Sequence, residues 1–259
     1  MSINDLFIKG NKFFSEKNFF DGLDVFKEIW FQYPKNKRLV EEISKKVKKF
    51  KKPITQTHSK KEIDKFFNLE KYGKSSTVIR KLTDTFKKNQ NDVLTISLLA
   101  TFWSLKGNYD KAIYFHRLAI QKQPLESAFY LNLSDTLIKI NKLKDALNVL
   151  YYAKILSLNE KNIDYKMAKL LTDLKKFSKS NQVYEELINS KNISNEIIYS
   201  YCDNLIKFKK EDDVILFIEK YETANGTDSN FKSILGLAYF KKKQFDLAKS
   251  FYNESININ

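Results

Sequence analysis

The chain has 259 residues, of which 42% are hydrophobic, so it can bury a core and is not expected to be disordered. Three prolines and six glycines are few for this length and favour helices over a turn-rich all-β fold. The single cysteine excludes a disulfide framework within the chain.

The net charge of +15 comes almost entirely from lysine, since arginine occurs only at positions 38, 80 and 117. Arginine gives the bidentate phosphate contacts that are common in nucleic-acid recognition, whereas lysine acts as a point charge. A bias toward AT-rich codons would also enrich Lys, Asn, Ile, Phe and Tyr. We therefore give the charge little weight as evidence of a nucleic-acid partner.

Two features of the sequence bear on cellular location. The N-terminal segment lacks a basic region followed by an apolar one, so no signal peptide is predicted. No stretch approaches the roughly 18 apolar residues of a membrane-spanning helix. We therefore expect a soluble, cytoplasmic protein.

Residues 1–36 predict a helical hairpin in which small and bulky residues follow a set spacing. Gly10 and Gly22 stand where the two helices would approach closely, and Pro34 stands where the second helix would end. The bulky residues of this hairpin are Phe13, Phe19, Phe26 and Ile29. The same pattern recurs later in the chain, in a different register.

Residues 37–58 predict a basic helix, because apolar residues recur at helical spacing up to Phe50 and Pro53 should end the helix. Residues 45–61 hold eight lysines and no acid. They could bind phosphate, RNA or an anionic membrane. The absence of arginine and of interleaved aromatic residues favours an ordinary solvated face instead. The candidate basic patch is Lys45, Lys46, Lys48, Lys49, Lys51 and Lys52.

The clearest repeat lies at residues 98–124, in the order Ala100, Trp103, Gly107, Tyr109, Ala112, His116, Ala119 and Pro124. Units of 34 residues then begin at Ser59, Val93, Ser127, Lys161, Asn195 and Ser229. Position 8 of these units carries Phe66, Ala100, Ser134, Ala168, Cys202 and Gly236. Position 24 carries Leu82, His116, Leu150, Tyr184, Ile218 and Tyr252. The register holds over six units without an insertion, which indicates a repeat architecture.

This pattern resembles the tetratricopeptide repeat (TPR) of bacterial proteins, whose unit has small residues at positions 8 and 20, Gly near 15 and Pro at 32. The resemblance implies an all-α fold, a right-handed α-solenoid of about seven antiparallel helical hairpins. It divides the chain into an N-terminal hairpin at 1–36, a basic helix and linker at 37–58, and six in-register units at 59–259.

The repeat pattern has a physical basis. Small residues at positions 8 and 20 let the two helices of a hairpin approach, and Gly at position 15 allows a left-handed residue after the first helix. Phe66 is large for position 8, so we expect the hairpin at 59–92 to pack loosely or to tilt. The fifth unit also departs from the pattern, with Glu211 at position 17 and Tyr221 at position 27.

The resemblance also implies where a partner binds, since in this family the first helices of successive hairpins line a concave groove. The predicted partner-binding residues are Thr101, Asn132, Asp135, Tyr165, Lys169, Tyr199 and Asp203. Tyrosine is a common interface anchor because it offers contact area at a low entropic cost. The alternative is that these are ordinary exposed helix residues.

Residues that would carry catalysis are scarce. His116 occupies a position that is normally an inter-helix contact, and His58 lies in the linker with no partner expected. Cys202 stands at a small-residue position, where a buried, inert thiol fits better than a nucleophile. The sequence holds no zinc, phosphate-loop or hydrolase motif. We therefore expect a protein that is not an enzyme and that uses no cofactor or metal.

The predicted last helix, 244–258, carries apolar residues where a solenoid usually ends in a polar cap. It either packs on another chain, which includes self-association, or the native protein continues beyond Asn259.

Three functions remain open. The first is a scaffold that binds protein or peptide in the groove. The second is a recruiting or dimerising arm of a sulfotransferase- or glycosyltransferase-type enzyme. The third is an adaptor that binds RNA or anionic membranes through residues 45–61.

Overall fold

The computed structural model describes residues 1–33, 36–55, 57–190 and 193–258, and the predictions on Pro34 and Asn259 lie outside these residues. The described part contains fifteen α-helices. The first nine are α1 Ile3–Ser15, α2 Phe19–Gln32, α3 Lys37–Phe50, α4 Lys60–Lys71, α5 Ser75–Lys88, α6 Val93–Leu105, α7 Tyr109–Lys122, α8 Ser127–Lys139 and α9 Leu143–Leu156. The others are α10 Lys161–Asp173, α11 Phe177–Ile188, α12 Asn195–Lys207, α13 Glu211–Asn225, α14 Ser229–Lys241 and α15 Phe245–Ile258.

The chain divides into two compact units, Met1–Ile163 and Asp164–Asn259, which are described separately. Consecutive helices pair as hairpins: α1 with α2, α4 with α5, α6 with α7 and α8 with α9 in the first unit, and α12 with α13 and α14 with α15 in the second. The predicted all-α fold of antiparallel helical hairpins is confirmed. The domain boundaries at residues 36 and 58 and the handedness of the solenoid stay predictions.

Polar residues placed at helix starts fix where several helices begin. The side chain of Ser2 accepts a hydrogen bond from the Asp5 N–H, and the Asp5 carboxylate accepts one from Ser2, which forms a capping box at α1. Asn36, Ser59 and Asp92 cap α3, α4 and α6 through their side chains. Such caps satisfy backbone donors that a helix N-terminus leaves unpaired.

The turn between the two helices of a hairpin has the same backbone conformation along the chain. Its residue at position 15 has a positive φ in all six in-register units, at Gly73, Gly107, Asn141, Lys175, Lys209 and Lys243. Lys17, at the same position of the N-terminal hairpin, has a φ of 59°. A left-handed residue is unusual for lysine. The geometry therefore follows the 34-residue spacing rather than the residue type.

Small residues allow close helix packing, as the repeat pattern predicts. A Cβ at Gly10 would lie 2.8 Å from the Phe26 ring, and one at Gly22 would lie 2.5 Å from the Phe14 ring. In the last hairpin, a Cβ at Gly236 would lie 2.9 Å from the Tyr252 ring. These distances are too short for a side chain, so glycine is required where the bulky ring of the facing helix packs.

Phe66 is accommodated although it is large for position 8. Its ring is 2% exposed and lies edge-on to Phe102 at 6.4 Å, within a core cluster that includes Leu82 and Leu99. The hairpin thus keeps a packed core with the larger ring at this position.

The N-terminal hairpin packs against α9, far along the sequence, within the first unit. The Tyr152 hydroxyl donates to Asp24 at 2.6 Å, and Lys27 lies 3.9 Å from the centre of the Tyr152 ring. Trp30 and Phe31 pack on Tyr151, with ring centres 5.7 and 4.7 Å away. In a simple repeat array each hairpin contacts only its neighbours. This contact therefore adds to the repeat pattern and does not follow from it.

His58 is the clearest correction to the sequence analysis, which expected no partner for it. The ring is 5% exposed, its Nε2 lies 2.9 Å from Thr95 Oγ1, and its Nδ1 lies 3.3 Å from a Glu62 oxygen. Thr57 beside it donates to the Asp92 carboxylate at 2.9 Å. The end of the linker is thus attached to α4 and to the start of α6.

Candidate functional site

Three of the predicted groove residues meet in the first unit. Thr101 on α6 and Asn132 and Asp135 on α8 line one cavity of about 130 Å³, here called the α6/α8 cavity. All three side chains are half-buried. The complete lining is Thr101, Ser104, Leu105, His116, Asn132, Asp135, Thr136 and Lys139. First helices of adjacent hairpins therefore do place these side chains together.

The inner wall of the α6/α8 cavity is a buried polar network. His116 is 1% exposed, and its Nε2 lies 3.1 Å from the Thr136 hydroxyl. That hydroxyl also contacts Ser104 Oγ at 3.2 Å and the Asn132 carbonyl at 3.1 Å. Lys139 Nζ donates to Ser104 at 3.4 Å. Hydroxyl and amide groups near the surface can thus exchange hydrogen bonds with a polar ligand.

Burial keeps His116 uncharged. It lowers the pKa of the imidazole to about 4, and the positive charge of Lys139 lowers it further in the same direction. His116 Nδ1 is buried without a hydrogen-bond partner in the described part of the chain. This geometry agrees with the structural role that its repeat position predicts.

In the second unit, the predicted tyrosines connect successive first helices. The Tyr165 hydroxyl on α10 donates to a Glu196 oxygen at 2.8 Å and lies 2.9 Å from Ser200 Oγ, both on α12. Asn230 on α14 donates to the Tyr199 hydroxyl of α12 at 3.3 Å. Partial burial raises the pKa of both phenols. The hydroxyls are therefore engaged within the protein, and the half-buried rings are what a partner could contact.

The two charged groove residues of the second unit are exposed. Lys169 Nζ lies 5.3 Å from the centre of the Tyr165 ring. Asp203 forms an ion pair with Lys207 at 2.7 Å, one helical turn away. Exposed pairs of this kind contribute little to stability, so both charges are open to a ligand. The sequence analysis did not name Glu196 or Asn230, although both stand at position 2 of their units, on the first helices that are predicted to line the groove.

The lysines of the predicted basic patch differ in their surroundings. Lys45, Lys48 and Lys49 are exposed on α3, and Lys46 is half-buried. Beyond the end of α3, Lys51 pairs with Glu126 at 2.8 Å. Lys51 and Lys52 line a separate cavity with residues of other segments. The exposed lysines of α3 thus face solvent, whereas Lys51 and Lys52 lie beside other segments of the first unit.

Cys202 is fully buried, and burial raises the pKa of its thiol to about 12. A thiol in this state is a poor nucleophile. Within the described residues, no cluster of His, Cys, Asp or Glu side chains could hold a metal ion. No helix in those same ranges is both long and apolar enough to cross a membrane.

Comparison with known proteins supports the fold. A sequence profile of the tetratricopeptide repeat matches residues 233–259. No curated protein matches the chain. Solved structures do, including that of YrrB, described as a TPR protein with an unusual peptide-binding site. It has a TM-score of 0.55 and 13% identity and covers 69% of this chain and 92% of its own.

Two further solved structures share the fold of helical hairpins. A TPR protein from Parabacteroides merdae has a TM-score of 0.53 and 12% identity and covers 98% of this chain and 92% of its own. MamA from Desulfovibrio magneticus RS-1 has a TM-score of 0.56 and 12% identity, over 64% of this chain and 93% of its own. The recurring turn, the close packing at small residues and these structures show that the chain has the helical-hairpin fold of tetratricopeptide-repeat proteins, and the profile match identifies a tetratricopeptide repeat at residues 233–259.

Proposed function

We propose that this chain is a non-catalytic scaffold that binds protein or peptide segments along the first helices of its hairpins. The observation that carries the proposal is the α6/α8 cavity, where Thr101, Asn132 and Asp135 converge from two adjacent first helices. A cleft with convergent polar groups is the usual form of a ligand site. YrrB, which shares the fold, is described as having a peptide-binding site, and this supports a peptide as the ligand class.

The chemistry of the cavity suits an extended peptide. Backbone amides of a peptide both donate and accept hydrogen bonds, and the cavity offers side-chain amide, hydroxyl and carboxylate groups at its mouth. In the second unit, Lys169 and Asp203 provide charges of both signs beside half-buried tyrosine rings. Aromatic area next to polar groups is typical of interfaces.

A peptide selection with matched variants tests the proposal. Peptides selected by display against the whole chain are measured by calorimetry on Asn132→Ala and Asp135→Ala variants and on Tyr114→Ala, an exposed residue of α7 outside the cavity. We expect each cavity variant to weaken binding about tenfold, which is the effect of about 1.4 kcal/mol. The control should bind unchanged. If both cavity variants bind the selected peptides as tightly as the natural chain and the control variant do, the peptides do not bind at this site.

A second interaction is favoured by the last hairpin. Phe240, Tyr252 and Ile256 are 50%, 37% and 71% exposed, and together they form what we call the terminal face. Position 24 is at most 1% exposed in the five preceding units, at Leu82, His116, Leu150, Tyr184 and Ile218. We propose that the terminal face packs on the same face of a second copy, since a helical hairpin of this chain is the shape that covers these positions elsewhere.

The mass of the protein in solution tests this self-association. Light scattering across a concentration series should show a dimer for the natural chain and a monomer for Ile256→Asp, because the charge cannot be buried in the pair. Leu216→Asp, at a position of α13 that is 69% exposed, serves as the matched control and should leave the dimer unchanged. A natural chain that stays monomeric at high concentration contradicts the proposal.

A further inference from the structure

A larger cavity, of about 310 Å³, lies in the first unit and shares no lining residue with the α6/α8 cavity. Three segments enclose it: the α1–α2 turn, the end of α3, and the loop between α7 and α8. We call it the lysine-lined cavity. Its lining is Lys17, Asn18, Phe19, Phe20, Phe50, Lys51, Lys52 and residues 121–126.

Aromatic packing and one ion pair hold these three segments together. Phe19 and Phe50 pack with ring centres 5.6 Å apart, and both contact Phe14 in the core of the N-terminal hairpin. Lys51 at the end of α3 pairs at 2.8 Å with Glu126, whose side chain is only 13% exposed. The cavity is therefore a built feature of the fold, and it does not depend on mobile surface side chains.

The charge at the cavity is strongly one-sided. Four lysines line it, at positions 17, 51, 52 and 122, against one carboxylate, Glu126, which Lys51 already pairs. Lys122 donates to Asn91. Lys17 and Lys52 have no ion-pair partner within the described ranges, and both side chains are exposed at the mouth. The site therefore attracts negative charge.

The wall of the cavity combines apolar surface with an unpaired polar atom. Phe20 is 43% exposed and Leu125 is 4% exposed, so apolar surface lies beside the lysines. Oε1 of Gln123 is buried and has no hydrogen-bond partner in the described part of the protein.

We propose that the lysine-lined cavity binds an acidic peptide segment that carries an aromatic or aliphatic side chain between its carboxylates. The apolar side chain packs on Phe20 and Leu125, and the carboxylates pair with Lys17 and Lys52. This site is separate from the first-helix surface, so it adds a second binding site to the scaffold and stands independently of the function proposed above.

The shape of the site favours a peptide over RNA or a membrane. Single-stranded RNA binds along a basic groove in which successive bases stack on successive exposed rings, whereas Phe20 is the one exposed ring among the described lining residues of this cavity and no arginine lines it. A membrane needs a broad basic face. Here the exposed lysines of α3, such as Lys45 and Lys48, lie outside the cavity, and the apolar surface is enclosed by three segments.

Fluorescence anisotropy with a labelled peptide, Glu-Asp-Phe-Glu-Asp, tests the proposal on the whole chain in near-physiological salt. We expect saturable binding that the double variant Lys17→Gln/Lys52→Gln weakens by about tenfold or more. The matched control, Lys45→Gln/Lys48→Gln, removes the same charge from α3 outside the cavity and should change affinity less than about twofold. Phe20→Ala should weaken binding, and Tyr72→Ala, a more exposed aromatic residue away from the cavity, should not.

Two altered peptides and two other ligands complete the test. Gln-Asn-Phe-Gln-Asn removes the charge and Glu-Asp-Ser-Glu-Asp removes the ring, and both should bind at least about tenfold more weakly. Equal loss in the two lysine double variants, or no binding of the acidic peptide, overturns the proposal. So does tighter binding of a uridine decamer RNA or of phosphatidylserine vesicles with the same dependence on Lys17 and Lys52. Circular dichroism melting confirms that each variant is folded.

Discussion

Hairpins α6–α7 and α14–α15 follow the same repeat pattern, yet two equivalent positions are buried in the first hairpin and exposed in the second. Positions 12 and 24 carry Ser104 and His116 in α6–α7, where they are 7% and 1% exposed. The same positions carry Phe240 and Tyr252 in α14–α15, where they are 50% and 37% exposed. The polar pair is thus buried, and the aromatic pair is exposed to solvent.

The neighbouring hairpin explains this inversion. Thr136 on α8 forms hydrogen bonds with His116 Nε2 and Ser104 Oγ, so the next hairpin covers both side chains. No described helix follows α15 to play that part for Phe240 and Tyr252. Burial at these positions is therefore a property of the contact between hairpins, as expected when stability depends on interfaces between nearest neighbours.

Matched truncations should give the largest difference between the two hairpins. Phe102→Ala in α6 removes a ring that is 0% exposed and packs on Phe66 and Phe67, and should lower the free energy of unfolding by about 3–5 kcal/mol. Phe240→Ala in α14, measured in the Ile256→Asp background that blocks the proposed self-association, should change it by less than about 0.5 kcal/mol. Urea denaturation measures both, and similar losses in that background would contradict the exposure of Phe240 in the monomer.

The pH dependence of stability should show the next largest difference between the two hairpins. The pKa of His116 falls from 6.5 to about 4 on folding, so the unfolded chain binds more protons between these values. The free energy of unfolding should therefore fall as the pH drops through this window, by about 3 kcal/mol at most. His116→Leu should remove this dependence, and Tyr252→His should add none. A natural slope that survives His116→Leu would contradict the burial argument.

Exchanges at position 15 should have the smallest effect. Lys243 has a φ of 63° in the last hairpin, and Gly107 has a φ of 80° in the inner one. Lys243→Gly should raise the free energy of unfolding by about 0.5–1 kcal/mol, because glycine adopts this conformation without strain, and Gly107→Ala should lower it by about 1 kcal/mol. Thermal melting monitored by circular dichroism measures both shifts, and changes of the same sign would be inconsistent with the turn geometry.

Much of the fold follows from the sequence because it depends on local spacing. The 34-residue register places small residues opposite bulky rings, as at Gly236 and Tyr252, and it places left-handed turns even where the residue is lysine. Helix propensity alone would not put Lys209 in such a turn. The spacing succeeds because each hairpin repeats the geometry of the one before it.

The parts that sequence reasoning missed depend on contacts between distant segments. His58 gains its partners only when the linker reaches Thr95, and Tyr151 meets Trp30 only when the N-terminal hairpin folds back. Neither contact has a periodic signal. The spacing places Thr101 and Asn132 on adjacent first helices, where they line one cavity, but it does not show that the Tyr165 hydroxyl is engaged by Glu196, and the binding groove itself stays a prediction.

The contact between the N-terminal hairpin and α9 has a consequence for how the first unit folds. A linear array can form hairpin by hairpin, because each contact closes only a short loop. The hydrogen bond from the Tyr152 hydroxyl to Asp24 joins residues 128 positions apart in the sequence. We therefore expect it to form only after the intervening hairpins are in place. Such long-range closure slows folding and links the ends of the unit, so that the first nine helices should unfold together as one cooperative block.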